Sequence, residues 1–518
     1  MFSTIKAGAI NGIHSYLMQV EVDVSSGLPS FNMVGLPSTE VREAQERVKV
    51  ALKNSGITIP PSHITVNFSP ADVRKEGVSV DLPVAIGILS SLGEIDETVL
   101  KDTVIIGQLG LNGEIKKIKG VLPIVRTAIE SGCKVCILPS ENANEGAVAE
   151  SSIKIVGVSS LAECVTYLNS KKEDKDKLIP PTVINVDELF EKNEETSNVD
   201  FADINGQSAL KRAMEVAAAG FHHILMVGPP GSGKSMIAKR IPTILPPLSK
   251  EESLEVSTIY SVAGLLPAGK ALITERPFLS PHHSITASAL AGGGRIPQPG
   301  IISLAHRGVL FLDEIAEFSR TTLDLLRQPL EDQEVHIARA GGNFTYPASF
   351  MLVGAMNPCP CGFYPDRGKC RCTNSDIAHY LSHLSGPILD RIDICVEAPK
   401  IDFSDLSCKS SANETSKSIR ERVIKARIIQ RDRFKGTNLR FNSDMLPTDI
   451  QKYCPMGLKE QRMLEKLYKQ LDLSARSYHR IIKLARTIAD LEGSDVIKDA
   501  HIAEAACYKM ADMKYWKN

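Results

Sequence analysis

Ile224-Leu-Met-Val227 runs directly into Gly228-Pro229-Pro230-Gly231-Ser232-Gly233-Lys234-Ser235, and the residues after it are helix formers through Arg240. Four apolar residues predict a short buried strand, and a glycine-rich loop between a strand and a helix matches the phosphate-binding loop in its proper context. The glycines let the backbone curl so that successive N–H groups and the helix N-terminus point at phosphates. Lys234 is predicted to reach the β and γ phosphates of ATP. The Ser235 hydroxyl is predicted to ligate Mg²⁺.

About 80 residues on, Gly308-Val-Leu-Phe-Leu312 reads as a buried strand that ends in Asp313-Glu314. Alone, such an acidic pair is more often a helix cap. Behind a complete phosphate loop, Asp313 is expected to hold Mg²⁺ and Glu314 to polarise the water that attacks the γ phosphate. The next strand, Phe350 to Met356, delivers Asn357 to orient the same water. Arg391, in Leu389-Asp-Arg-Ile-Asp393, and Arg476, in Leu473-Ser-Ala-Arg-Ser-Tyr-His-Arg480, are candidates to stabilise charge on the γ phosphate, one of them from a second subunit. In isolation each reads equally as a surface ion-pair partner.

The order of elements around this loop is helix, strand, loop, helix and further strands over residues 201–400, as in a parallel-sheet nucleotide-binding domain. Residues 1–169 alternate strand-like runs (Val20 to Val24, Ile64 to Phe68, Val104 to Ile106, Val135 to Leu138) with helix-like ones (Ser38 to Asn54, Val121 to Ser131) and read as a separate α/β domain. Residues 170–200, rich in Lys, Asp and Glu with Pro180-Pro181, read as an exposed linker. Over residues 401–518 a helical lid is expected, with Ser416 to Gly436 and Leu458 to Glu492 helical by periodicity.

With 60 Lys+Arg against 61 Asp+Glu in 518 residues, bulk charge cannot coat nucleic acid, so any DNA contact must come from a local patch. Nine Lys/Arg against two acids between Lys417 and Arg440 could form one, although a solvated lid helix is the plainer reading. No signal peptide or 18-residue apolar run occurs, so a cytoplasmic protein with no membrane partner is expected. Cys359, Cys361, Cys370 and Cys372 could give four thiolates to one Zn²⁺, with a redox pair or unligated thiols as alternatives. Cys133 and Cys136 share a C-x-x-C spacing but read as buried thiols.

Taken together, Gly228 to Ser235, Gly308 to Glu314, Arg276 to His283, Ala355 to Gly362 and Leu473 to Glu492 resemble a magnesium-chelatase-related AAA+ ATPase of the YifB/ComM family, over all three parts of the chain. The resemblance implies that Asn357 is a sensor, Arg391 an arginine finger acting on a neighbour and Arg476 a lid sensor. It also implies a homo-hexameric ring that works as a DNA helicase, driving branch migration in recombination or natural transformation. Two inserted hairpins are implied to face the pore and touch single-stranded or branched DNA. Arg295, in the loop Gly292 to Gly300, and Arg339, in Glu334 to Gly342, are the pore candidates, each equally readable as an ordinary exposed charge.

Residues 1–169 resemble the Lon protease domain, most visibly at Lys75 to Ser79 and from Gly113 through Asn142. Ser79 falls at the nucleophile position, but Leu122 stands where the catalytic Lys should be, and without that base a Ser hydroxyl is a weak nucleophile. A shifted base at Lys116, Lys117 or Lys119 is the remaining protease reading. The domain is otherwise expected to bind or assemble, not cleave. Beside the DNA motor stand two alternatives: a chelatase-type motor that remodels a protein partner for metal insertion, and an ATP-dependent protease.

Overall fold

A computed structural model of the protein describes residues 2–70, 79–149, 152–191, 199–267, 269–294, 296–339, 342–400 and 413–516. The N-terminal part is built on a seven-stranded mixed sheet. Its strands are β1 (Phe2–Asn11), β2 (His14–Ser26), β3 (Ser30–Val34), β4 (Ser62–Ser69), β5 (Thr103–Ile105), β6 (Val135–Pro139) and β7 (Lys154–Val158), in the order β3-β4-β2-β1-β5-β6-β7. Ile5, Ala7 and Ala9 of β1 are buried at alternate positions, as are Met18, Val20, Val22 and Val24 of β2. Helices α1 (Thr39–Asn54, capped by the Ser38 hydroxyl), α2 (Asp81–Ser91) and α3 (Val121–Glu130) pack on this sheet.

Over its described residues, the segment expected to be an exposed linker is partly helical and partly packed. Lys172–Leu178 and Val186–Glu191 are short helices. Ile179 is buried, and the Thr182 N–H is held by the Ile155 carbonyl at 2.9 Å. Ile179 anchors it, whereas Leu178 and Val183 stay exposed.

The second sheet is five-stranded and wholly parallel. Strands β8 (Ile224–Val227), β9 (Phe278–Leu279), β10 (Val309–Leu312), β13 (Met351–Met356) and β14 (Ile394–Glu397) lie in the order β9-β10-β13-β8-β14. Between β10 and β13 the chain leaves the sheet to form an antiparallel hairpin of β11 (Glu334–Arg339) and β12 (Gly342–Pro347). All four residues of β8 and of β10 are buried, which accounts for their uninterrupted apolar sequences. Around them lie α4 (Ser208–Gly220), α5 (Lys234–Ala238), α6 (Lys250–Ala263) and the one-turn α7 (Pro329–Asp332).

The helices α8 (Ser416–Arg433), α9 (Leu458–Gln470), α10 (Ala475–Leu491) and α11 (Asp499–Trp516) complete the chain. The run Leu458 to Glu492, helical by periodicity, is two helices. The break falls at 471–474, where Asp472 takes φ +45° and the Ser474 hydroxyl caps α10 by accepting the Ser477 N–H at 3.2 Å. The protein is thus an α/β multidomain chain with a parallel nucleotide-type sheet and a helical C-terminal region. No helix among the described residues is long and apolar enough to cross a membrane.

Candidate functional site

The loop between β8 and α5 closes on Lys234. Its ammonium donates to the Gly228 carbonyl at 2.6 Å, the Pro229 carbonyl at 2.9 Å, and the Ser232 hydroxyl and Asn357 Oδ1 at 3.3 Å each. Burial pulls the Lys234 pKa down, while Asp313 and Glu314 push it back up. The Ser235 hydroxyl donates to Asp313 Oδ2 at 2.6 Å. Two hard oxygens therefore converge beside the lysine, the donor type that Mg²⁺ takes.

Parallel register brings these groups together. Strands β10, β13 and β8 are neighbours, and the C-terminal ends of all three open on the same edge of the sheet, where ligands bind in open α/β folds. Glu314 is exposed, with φ +49° and ψ +48°, a left-handed conformation that costs a non-glycine residue about 1 kcal/mol. Of the residues predicted here, Gly228 to Ser235, Asp313, Glu314 and Asn357 thus share one site. Gln207, not singled out from the sequence, belongs beside them. Its Nε2 donates to the Ser232 carbonyl at 2.6 Å, and its buried Oε1 has no hydrogen-bond partner among the described residues. The Gly206-Gln207 step before α4, with Gln207 at φ +54°, is the only signal the sequence offered for it.

Arg391 and Arg476 are not in this site. Both guanidiniums meet the Glu331 carboxylate, Arg476 at 2.7 Å on Oε1 and Arg391 on Oε2, and Arg391 also donates to the Pro387 carbonyl at 2.7 Å. They border a cavity of about 550 Å³ that is also lined by His223, Phe350 and Asp393. Those three residues immediately precede β8, β13 and β14. The arginine pair therefore lies at the N-terminal edge of the parallel sheet, whereas the phosphate loop leaves its C-terminal edge, about 13 Å away along a four-residue strand.

Arg480, one turn beyond Arg476 on α10, fixes the segment that carries Arg391. It donates to the carbonyls of Ile392 (2.6 Å), Leu389 (3.3 Å) and Asp390, and it is buried. A second tie runs through buried His222, whose Nδ1 lies 3.0 Å from Asp393 Oδ2 and whose Nε2 lies 2.8 Å from the Thr487 hydroxyl of the same helix. Arg391 and Arg476 are thus presented by one stiff unit.

The four cysteines Cys359, Cys361, Cys370 and Cys372 bring their sulfurs within 4.8 Å of one another. Sulfur–sulfur separations of 3.4, 3.6 and 3.8 Å among Cys359, Cys361 and Cys370 match the edge of about 3.8 Å that a tetrahedron with Zn–S bonds of about 2.3 Å requires. Backbone N–H groups, first that of Phe363, hold the Cys361 thiol down to about 6. The cluster abuts the phosphate loop, because Gly362, at φ +83°, lies where any side chain would strike Pro230. Cys133 and Cys136 are buried in the N-terminal core, and desolvation pushes the Cys136 thiol up to about 12.

Arg339 is exposed at the end of β11, opposite Gly342. Arg295 lies outside the described residues. The loop that contains it pairs Gly292–Gly293 with Gln298–Pro299, and it rests against the hairpin through the Tyr346 hydroxyl, which donates to the Pro297 carbonyl at 2.9 Å. Part of the basic run Lys417 to Arg440 is paired within the molecule, while Lys417, Lys425, Arg431 and Lys435 are exposed. Arg422 pairs with Glu215 and Glu414, Arg433 with Asp490 and Arg440 with Glu255, and Arg427 stacks 4.0 Å from the Phe441 ring centroid.

In the N-terminal part, Ser79 donates to the Gly8 carbonyl at 3.3 Å. Lys116 pairs with Glu114 at 3.0 Å, Lys117 donates to the Leu266 carbonyl at 3.3 Å, and the Lys119 stem lies across Gly264. Leu122 is fully buried in a small cluster with Val148, Ala271 and Leu272, and so faces the nucleotide-binding part of the chain.

Three family models match the chain: "Magnesium chelatase, subunit ChlI" over residues 200–406, "Subunit ChlI of Mg-chelatase" over 20–142, and "Magnesium chelatase, subunit ChlI C-terminal" over 413–509. Similarity to the competence protein ComM of Haemophilus influenzae is 41% identity over 499 residues, 96% of this chain and 95% of the relative. To the protein YifB of Salmonella typhimurium it is 40% over 501 residues, 97% and 96% of the two chains. The magnesium-chelatase 38 kDa subunit of Acidiphilium rubrum is 25% identical over 341 residues, 59% of this chain and 88% of that subunit.

Proposed function

The chain belongs to the magnesium-chelatase-like AAA+ family that includes ComM and YifB, and from that premise we propose that it is a ring-forming ATP hydrolase that drives DNA, as a helicase acting in branch migration. One observation carries the ring: the phosphate loop and the Arg391–Arg476 pair occupy opposite edges of one sheet. A guanidinium can stabilise a γ phosphate only in contact with it, so each pair serves the nucleotide of an adjacent copy. Closure of such head-to-tail contacts gives a ring, here a hexamer.

At each site Lys234 exchanges the carbonyls of Gly228 and Pro229 for the β and γ phosphates. Ser235 and Asp313 hold Mg²⁺, which neutralises phosphate charge. Glu314 takes a proton from the attacking water as Asn357, already in contact with Lys234, orients it. Arg391 and Arg476 of the adjacent copy meet the charge on the γ phosphate. The four thiolates hold a structural Zn²⁺ that stiffens the loop between Asn357 and the Arg391 segment, and a cytoplasmic setting keeps them reduced.

For DNA, support comes from the two adjoining hairpins with exposed Arg339, with Arg295 in the first of them, and from the name competence protein borne by the Haemophilus relative. The test is ATP hydrolysis with and without forked or four-way DNA, together with strand displacement. Lys234→Ala is expected to lose nucleotide binding. Glu314→Gln is expected to bind ATP while hydrolysis falls about 10²-fold or more. DNA that neither binds nor stimulates the wild type would sink the DNA reading.

A second reading, a chelatase-type motor acting on a protein partner, is favoured by a specific finding. A family model described as a chelatase subunit also matches residues 20–142, so the N-terminal part is compatible with that reading as well. DNA-independent hydrolysis would favour it. For the protease reading, none of the three lysines near Leu122 has a hydrogen bond to Ser79 among the described residues.

A further inference from the structure

Glu331 links two parts of the molecule that the proposed function uses separately. Its carboxylate is shared by Arg391 and Arg476, so two guanidiniums sit against one half-exposed counter-ion. It is also the third residue of α7, and only Asp332 and Gln333 separate it from the first residue of the β11–β12 hairpin.

That short connection is stiff. Gln333 is left-handed at φ +57°, its carbonyl accepts the Ala348 N–H at 2.7 Å, and its side chain donates to Asp444 at 2.8 Å. Both strands of the hairpin are therefore fixed at their base to the residue next to α7. Farther along, the hairpin meets the first hairpin through Tyr346 and the turn between β1 and β2 through Phe344, which lies against Gly12.

A γ phosphate arriving in the neighbouring cavity needs the same N–H donors that Glu331 holds. Two anions cannot both keep full contact with one arginine pair without strong repulsion at these distances. We propose that Glu331 is the resting counter-ion of the Arg391–Arg476 pair, and that its displacement by the adjacent copy's γ phosphate moves α7 and with it the Glu334–Pro347 hairpin. Glu331 is in this view a positioning residue. The proposal rests on the reading that the arginine pair acts on an adjacent copy.

The experiment is hydrogen–deuterium exchange on the full-length protein, comparing ADP with a slowly hydrolysed ATP analogue. In the wild type, amide exchange across residues 334–347 is expected to differ by about threefold or more between the two nucleotides. Glu331→Gln should abolish that difference and leave the nucleotide protection of residues 228–240 intact, which also reports that the variant is folded. Glu331→Asp, which keeps the charge, should recover at least half of the response. A hairpin response in Glu331→Gln equal to the wild type, equal losses in the Gln and Asp variants, or no response in the wild type overturns the proposal. The underlying reading fails separately, if Arg391→Ala hydrolyses ATP at the wild-type rate.

Discussion

Leu122 occupies the position at which the resemblance to Lon places a catalytic lysine, and its surroundings show what took that chemistry's place. Its N–H is held at 3.2 Å by Glu145, which is also bound by Asn142 at 2.8 Å and by Ser261 of α6 at 2.5 Å. Its side chain joins Ala271 and Leu272 across the junction. The face where a base would stand is a dry seam between two parts of the chain. Leu122→Ala is expected to cost about 2–5 kcal/mol. Leu122→Lys should destabilise at least as much, because burial opposes the charge, and should yield no casein cleavage. Denaturant midpoints and a peptidase assay check both.

His223 gives a pH dependence. It is half-buried at the edge of the cavity and accepts the Leu352 N–H at 3.1 Å through Nδ1. Burial lowers its pKa to about 4, with Asp393 opposing and His222 and Arg480 adding to the fall. Above its unfolded value of about 6.5 neither state is protonated, so His223 contributes no slope. As pH falls from about 6.5 to about 4 only the unfolded state gains the proton, and stability drops by up to about 1.4 kcal/mol per pH unit. His223→Gln should flatten that part of a stability-against-pH curve. An unchanged slope would show that other groups set it.

Among the elements, α10 holds the segment that carries Arg391. Arg480 sits a full strand length from its own subunit's phosphate loop, so Arg480→Ala should leave ATP affinity near the wild-type value. Steady-state hydrolysis should fall by about tenfold to a hundredfold, because the Arg391 segment loses its three-carbonyl clamp. Equal losses in affinity and turnover would argue for general destabilisation instead. The cysteine loop is a second such element. On the proposed zinc site, Cys370→Ser should lower zinc content and ATPase together, as elemental analysis and phosphate release report.

Elements also mark where the sequence could be read and where it could not. Strands β8 and β10 were legible because each is a buried apolar run that ends in a chemical motif. The break at 471–474 was not, since Leu471 and Leu473 preserve the apolar spacing of a continuous helix while Asp472 turns the backbone. Glu331 and Arg480 carried no motif, because their roles come from contacts with residues 60 and about 90 positions away. The partners that hold part of the basic run at 417–440, Glu215, Glu255 and Asp490, are likewise remote in sequence.

For the whole molecule, the proposed pairing of each phosphate loop with an adjacent copy's Arg391 would make activity a property of pairs. Lys234→Ala and Arg391→Ala subunits are each expected to be inactive alone. Mixed in equal amounts before assembly, they should regain about a quarter of wild-type hydrolysis, because one junction in four then joins an intact loop to an intact finger. No recovery would place both defects in the same site. The balance of 60 basic against 61 acidic residues suits such an assembly, in which Arg339 and its counterparts gather about an axis and the outside stays neutral.

Strand β14 is an edge of the parallel sheet, and α11 packs against it, with Tyr515 bonded to Glu397 at 2.9 Å and the Trp516 ring N–H to the Leu381 carbonyl at 3.2 Å. The ribosome makes β14 about a hundred residues before it makes α11. During that interval the nascent chain carries an apolar strand with one side bare, the kind of surface that pairs with other chains. Translation stalled in the lid would therefore leave a sticky, half-dressed nucleotide domain, and such products should be clients of chaperones and proteases.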